Sequence, residues 1–154
     1  MGKVKERERP AEQRRRVVLK RSAGQWVVER LSNEELLKRS VKPMGMSAFR
    51  KTVDVSDVGY VFWSGLFGTT AAKLKLRMKK AAPLSAAEAE RVRLFEQVYA
   101  RGVEVFGEEE KFKRWMDIVS GPLDKRKPRE LMKSAMGLQR VMGELEDIAY
   151  GTYA

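Results

Sequence analysis

Apolar residues recur at helical spacing through much of this chain, and the longest such run follows Ser85. Ser85 and Glu88 stand at the spacing of a capping box, in which each residue bonds the other's backbone N–H. Gly107 ends the run, so the pattern predicts a helix from Ala86 to Phe106. One face of it would carry Val92, Phe95, Val98, Tyr99, either Gly102 or Val103, and Phe106.

A second capping box predicts a shorter helix near the N-terminal third. Ser32 is followed three residues later by Glu35, and Leu36 and Leu37 come next. Pro43 lies beyond the last position that this helix can reach.

Two further helices, separated by a turn at Gly68, are predicted between residues 56 and 80. Ser56 or Asp57 could cap the first, which carries Tyr60, Val61, Trp63 and Leu66. The segment 70–80 alternates lysine or arginine with apolar residues, which is typical of a strand. Its alanine, leucine, lysine and methionine content favours a helix, and we prefer the helix.

Three short helices are predicted after Gly107. The first begins at the acidic run Glu108–Glu110, where negative charge suits a helix N-terminus, and its apolar face carries Phe112, Trp115 and Met116. Pro128 opens the second, with Leu131, Met132 and Ala135 on its buried face, and Gly137 should break it. The last is predicted from Leu138 to Ala149 and is closed by Gly151.

The positive charge lies in the first half of the chain. The net charge is +11 over 154 residues. Residues 1–40 hold 12 Lys/Arg against 6 Asp/Glu, residues 41–84 hold 8 against 2, and residues 85–154 hold 12 against 13. Such an asymmetry favours nucleic acid as a partner of the basic half. Residues 1–16 are basic and almost free of apolar side chains, which predicts a disordered arm.

The composition argues against several classes of protein. The chain has neither cysteine nor histidine, which excludes a disulfide scaffold, a Cys/His zinc site and a histidine-activated nucleophile. Glu108–Glu110, Glu144 and Asp147 read as surface carboxylates, so we expect no catalytic residue, no metal and no cofactor. The chain also lacks an apolar run long enough for a membrane span and a secretory signal, which predicts a cytoplasmic protein.

The predicted pair of helices around Gly68 has the outline of a helix-turn-helix. Such a motif places the first residues of its second helix against base edges in the major groove of DNA. Thr69, Thr70 and Lys73 would hold those positions, since threonine and lysine can both contact bases. Phosphate contacts are expected from Lys75, Arg77, Lys79 and Lys80. A solvated amphipathic helix explains the same pattern and remains open.

Aromatic residues suggest where a protein partner could bind. Trp26, Trp63 and Trp115 fit either a core or an interface. Tyr150 and Tyr153 flank Gly151 after the last apolar stripe, and such tyrosines either fray or insert into a partner.

The order of residues after the basic helix resembles the Xre-type antitoxins that are paired with RES-domain toxins, a group that includes the ParS and MbcA antitoxins. The resemblance covers about Ser56 to Tyr153. It rests on Pro83-Leu84-Ser85-x-x-Glu88, Glu104-Val105-Phe106-Gly107, Trp115, Leu123, Pro128-x-x-Leu131, Gly137, Val141, Leu145, Ile148 and Gly151. Where the family usually has Gly-Gly after the leucine matching Leu123, this chain has Asp124-Lys125, and residues 1–50 have no counterpart.

The resemblance implies an all-α protein, with an Xre-like helix-turn-helix domain followed by a small helical toxin-binding domain. Members form homodimers, bind operator DNA to repress their own operon, and bind and neutralise a RES toxin that degrades NAD. The antitoxin's C-terminal end blocks the entrance to the toxin's active site, which places Tyr150, Gly151 and Tyr153 in that role, with Trp115 in the same toxin-binding domain.

These observations predict three segments. Residues 1–50 form a basic extension, residues 51–106 a helix-turn-helix domain with a long connecting helix, and residues 107–154 the toxin-binding domain. The predicted function is that of a non-enzymatic antitoxin and autorepressor, assembled with its toxin as a hetero-oligomer. A basic helix-turn-helix regulator without a toxin partner is the alternative.

Overall fold

The computed structural model describes residues 16–22 and 25–151, and most of this part of the chain is helical. A hairpin of two strands precedes eight helices in it. The elements are β1 (Arg16–Ser22), β2 (Gln25–Leu31), α1 (Asn33–Ser40), α2 (Met46–Ser56), α3 (Tyr60–Phe67), α4 (Ala71–Lys79), α5 (Ala86–Phe106), α6 (Glu109–Met116), α7 (Pro128–Leu131) and α8 (Ala135–Tyr150).

The two predicted capping boxes are both formed. At the start of α5, the Glu88 backbone N–H donates to Ser85 Oγ at 3.2 Å, and the Ser85 N–H donates to the Glu88 carboxylate at 2.9 Å. Ser32 and Glu35 make the same reciprocal pair at the start of α1. The predicted bounds of α5 are confirmed at both ends, with Gly107 left-handed after its last turn.

The body of the protein is helical, which confirms the all-α fold class. The prediction missed the hairpin, because it treated residues 1–50 as an extension. Its strands are antiparallel, with Arg16 opposite Leu31 and Ser22 opposite Gln25, and β1 lies against α5. Residues 1–15 of the predicted disordered arm lie outside the described residues.

Helix α2 occupies the stretch that the sequence left ambiguous. Its last residue is Ser56, and Asp57 closes it with a left-handed backbone, φ +52°. The expected capping role of Ser56 or Asp57 on α3 is therefore wrong, since Gly59 stands at that N-cap. Aspartate tolerates the left-handed region better than most residues, which suits Asp57 to end a helix.

A chain of aromatic rings runs through the core. The ring centroids of Phe49 and Trp63 are 5.1 Å apart, and those of Trp63 and Phe95 are 4.6 Å apart. Tyr99 continues the chain at 5.8 Å from Phe95 and 5.2 Å from Phe112. Helices α2, α3, α5 and α6 thus share one core. Among the described helices, none combines the length and apolarity needed to cross a membrane.

The predicted boundary between α7 and α8 is wrong. Gly137 was expected to break a helix, but it lies in the first turn of α8, where its N–H donates to the N-cap hydroxyl of Ser134 at 3.0 Å. A Cβ atom here would lie 1.7 Å from the Leu131 carbonyl oxygen. The close approach of α7 and α8 thus requires glycine at position 137. Ala135 was expected on the buried face of α7, but it is the first residue of α8 and is exposed.

Replacing Gly137 by alanine should therefore destabilise the fold by roughly 1–3 kcal/mol, the usual range for overpacking a site that cannot relax. Gly143→Ala is the matched control on the same helix, because nothing lies within 4 Å of the added methyl group. That control should be neutral or stabilising by up to about 1 kcal/mol. Equal thermal unfolding midpoints for the two variants would contradict the packing described for α7 and α8.

Candidate functional site

Helices α3 and α4 form the helix–turn–helix pair that the sequence predicted. Gly68 closes α3 with a left-handed backbone, φ +67°, and three residues, Gly68 to Thr70, separate the helices. Thr70 is the N-cap of α4, and its hydroxyl accepts from the Lys73 N–H at 3.2 Å. Thr69 is half-buried at the turn.

Helix α4 buries one face and exposes its lysines, which confirms the helix over the strand for this segment. Leu74 and Met78 face the core. Lys73, Lys75, Lys79 and Lys80 are exposed, and no acidic residue lies between Thr70 and Lys80. Every charged side chain on the solvent side of α4 is therefore positive, and Leu76 lies exposed among them. Lys75 lies over the Tyr60 ring, with Nζ 5.3 Å from its centroid.

Arg77 differs from these lysines because Glu88 holds it. Its two guanidinium nitrogens donate to the two Glu88 oxygens at 2.7 and 2.8 Å. The hydrogen bond from Arg77 is the main reason why the pKa of Glu88 lies below its ordinary value. Glu88 also completes the capping box of α5, so this one carboxylate fixes α4 against the start of α5.

Two arginines outside the predicted site hold the ends of α3 and α4. Arg91 on α5 donates to the Leu66 carbonyl oxygen at 3.0 Å, and Arg50 on α2 donates to the Met78 carbonyl oxygen. Both bind carbonyl groups in the last turn of a helix, where positive charge is favoured. Sequence reasoning missed them because these partners lie 25 and 28 residues away.

In the second half of α5, Arg101 joins this helix to α8. Its Nε donates to Glu146 at 2.8 Å, and its Nη1 contacts Glu104 at 2.7 Å. Near the N-terminal ends of these helices, Arg91 of α5 and Lys133, which lies two residues before α8, are both close to the end of α3. Helices α5 and α8 therefore run in the same direction, and their last turns lie at one end of the fold.

The predicted toxin-binding residues fall at this end as far as the structure describes them. Trp115 is half-buried, and its ring centroid is 5.4 Å from that of Phe106 in the last turn of α5. Tyr150 ends α8 and is 44% exposed. Gly151 follows with φ +66°, and its N–H bonds carbonyl groups of the last turn. Tyr153 lies outside the described residues.

The loop between α6 and α7 has a defined backbone. The Ser120 N–H donates to the Arg126 carbonyl at 3.0 Å, and Leu123 is buried beneath the turn. Asp124 and Lys125 both have φ of +56°. Glycine adopts the left-handed region without steric cost, so this backbone is compatible with the Gly-Gly step that the resemblance implies at this point.

Several acidic residues in the described part of the chain make local contacts. Glu109 accepts from the Tyr99 hydroxyl at 2.6 Å, and burial together with this bond raises the pKa of Tyr99. Lys111 pairs with Glu108 at 2.9 Å. The expectation that Glu144 is a surface residue is wrong, since it is buried, whereas Asp147 is exposed.

Comparison with protein families identifies the C-terminal part of the chain. Residues 101–151 match the model of the antitoxin Xre/MbcA/ParS C-terminal toxin-binding domain. The match begins within α5 and takes in α6, α7 and α8. Comparison with curated proteins gave no significant match. The chain thus carries the toxin-binding domain of Xre-type antitoxins, which supports an antitoxin role in a toxin–antitoxin system.

The pairing of Arg77 with Glu88 predicts a pH-dependent contribution to stability. Glu88→Gln keeps the capping box but removes the charge, and should cost roughly 1 kcal/mol at neutral pH. Because the folded-state pKa of Glu88 is lowered, this contribution is present above the unfolded value of 4.5 and is lost as the pH falls through the folded value. Thermal unfolding midpoints of the two proteins should therefore differ at pH 7 and converge in acid.

Glu34→Gln is the matched control for this measurement. Its partner Lys38 lies on the same exposed face of α1, so that pair should contribute little at any pH. A difference in unfolding midpoint between wild type and Glu88→Gln that increases as the pH falls would contradict the stabilising role assigned to the Arg77–Glu88 pair.

Proposed function

We propose that this protein is the antitoxin of a RES-type toxin, that it blocks the toxin's active site, and that it represses its own operon by binding operator DNA. The match of residues 101–151 to the antitoxin toxin-binding domain carries this proposal. The same match disfavours the alternative of a regulator without a toxin partner. The proposed organisation keeps 51–106 as the DNA-binding part and 107–154 as the toxin-binding part, and the N-terminal segment 1–50 is an extension whose last residues pack into the same core through Phe49.

In this proposal, the end of α8 enters the toxin. Tyr150 has about half of its surface available, and Gly151 terminates the helix, so the segment after it need not continue along α8. A tyrosine brings a large contact area to an interface at a modest entropic cost. Tyr150, Gly151 and Tyr153 would occupy the active-site entrance, and Trp115 would support the same end.

The DNA-binding surface would be the solvent side of α4. Thr69, Thr70 and Lys73 stand at its N-terminal end, where a recognition helix reaches base edges. Lys75, Lys79 and Lys80 are exposed along its length and are suited to phosphates. Arg77 belongs to this surface, but its bidentate bond to Glu88 gives it the additional role of orienting α4.

The assembly would be a cytoplasmic homodimer that also forms a hetero-oligomer with the toxin. A dimer would present two copies of α4 to two half-sites of an operator, as symmetric repressors do. The toxin would bind away from α4, at the common end of α5 and α8.

Toxin binding tests the main proposal. Co-expressed with the RES-type toxin from its own operon, the full chain should co-purify with it, and Tyr150→Ala should weaken binding at least about tenfold, as loss of a buried interface tyrosine does. Met136→Ala, at the opposite end of α8 and 75% exposed, should bind like wild type. Absence of any complex with wild type would refute the toxin proposal. Unchanged binding by a chain truncated after Ala149 would remove the role of the last residues.

Salt dependence tests the DNA surface. Binding of the chain to its own promoter DNA should weaken steeply as the salt concentration rises. If Lys73 contacts one phosphate, Lys73→Ala should lower the slope of log K against log salt by about 1. If Lys73 contacts a base, the variant should reduce affinity and leave the slope unchanged. Lys38→Ala, on exposed α1, should change neither quantity. An unaltered affinity and slope for Lys73→Ala would argue against α4 as the recognition helix.

A further inference from the structure

We infer that the loop between α6 and α7 forms a second contact with the toxin, separate from the end of α8. The contact surface, here called the apolar–basic edge, consists of Ile118 and Val119 together with the exposed basic residues of the same loop and of the last turn of α6, which are Arg114, Lys125, Arg126 and Lys127. The partner surface that fits it is a protein surface with an apolar centre and acidic margins. This inference rests on the proposed toxin-binding function.

The two apolar side chains of this edge are exposed, whereas the nearest large apolar residues before and after them are buried. Ile118 is 60% exposed and Val119 is 55% exposed. Met116 before them and Leu123 after them are almost fully buried. Together they form the apolar centre of the edge, which a bound partner would remove from water.

Ion pairs and backbone bonds fix the edge in place. Arg129 holds Asp117 through two hydrogen bonds of 2.7 and 2.9 Å. An antiparallel bridge between Ser120 and Arg126 joins the two sides of the loop. A loop that is already ordered loses little conformational entropy on binding.

Positive charge in the C-terminal part is concentrated around the apolar–basic edge. Residues 101–151 carry ten Lys/Arg and ten Asp/Glu, but residues 111–129 carry seven Lys/Arg against two Asp/Glu. Local bonds engage part of this excess, since Lys111 contacts Glu108 and Arg129 contacts Asp117. The exposed basic residues next to the loop are Arg114, Lys125, Arg126 and Lys127.

A protein partner explains this surface better than DNA or a second copy of the chain. DNA would satisfy the basic residues but would leave Ile118 and Val119 without an apolar partner. In a symmetric homodimer the same patch meets itself, which would bring the basic residues of both copies together. The edge also lies within the segment matched to the toxin-binding domain, and Ile118 follows Trp115 by one turn, so it continues the proposed toxin-binding end.

The test measures toxin binding by the full chain carrying Ile118→Ser and Val119→Ser. This double variant should bind the toxin at least about tenfold more weakly than wild type, with an unchanged unfolding midpoint, because both side chains are exposed in the free protein. The control carries Val41→Ser and Val61→Ser, which are 81% and 72% exposed on other elements, and should bind like wild type. Glutamate at positions 125–127 should slow association and reduce its salt dependence.

The outcomes separate this inference from the function on which it rests. If wild type binds the toxin and the Ile118/Val119 variant binds equally well, the second contact is refuted while the antitoxin role stands. If wild type forms no complex, both the antitoxin proposal and the second contact are refuted. If the variant or the glutamate substitutions reduce promoter DNA binding but leave toxin binding intact, the edge is a nucleic-acid surface and the inference is wrong.

Discussion

Burial of α5 is the constraint on which the rest of the structure depends. Its inward face places Phe95 against Trp63 of α3 and Tyr99 against Phe112 of α6, at ring-centroid distances of 4.6 and 5.2 Å. The same helix is held to α4 by Glu88 and to α8 by Arg101. The basic half and the toxin-binding segment are therefore built on one continuous core, and the matched family segment begins inside α5, at residue 101.

Features set by neighbouring residues could be predicted from the sequence, and features set by distant contacts could not. The capping boxes at Ser32 and Ser85 were correct because they act over three residues. Gly137 was misread as a helix breaker, since only the position of the Leu131 carbonyl oxygen shows why glycine stands there. The hairpin was missed because its apolar residues form two short runs, and strand pairing is not encoded in either run alone.

The candidate site shows the same division. The position, cap and exposed lysines of α4 followed from local pattern, whereas the pairing of Arg77 with Glu88 and the contact of Lys75 with Tyr60 depend on tertiary packing. The order of residues from Pro83 to Gly151 resembled the antitoxin family, and the family match confirmed the resemblance for residues 101–151. The left-handed backbone of Asp124 and Lys125 in the loop between α6 and α7 did not follow from residue type, since neither residue is glycine.

Inhibition of the toxin tests the central claim most directly. The RES-type toxin that we propose as the partner would be assayed for NAD degradation while purified full-length protein is added in increasing amounts. The account predicts that activity falls to background near the stoichiometric ratio, because each bound chain closes an active-site entrance. Undiminished NAD degradation at a large excess of this protein would contradict the account.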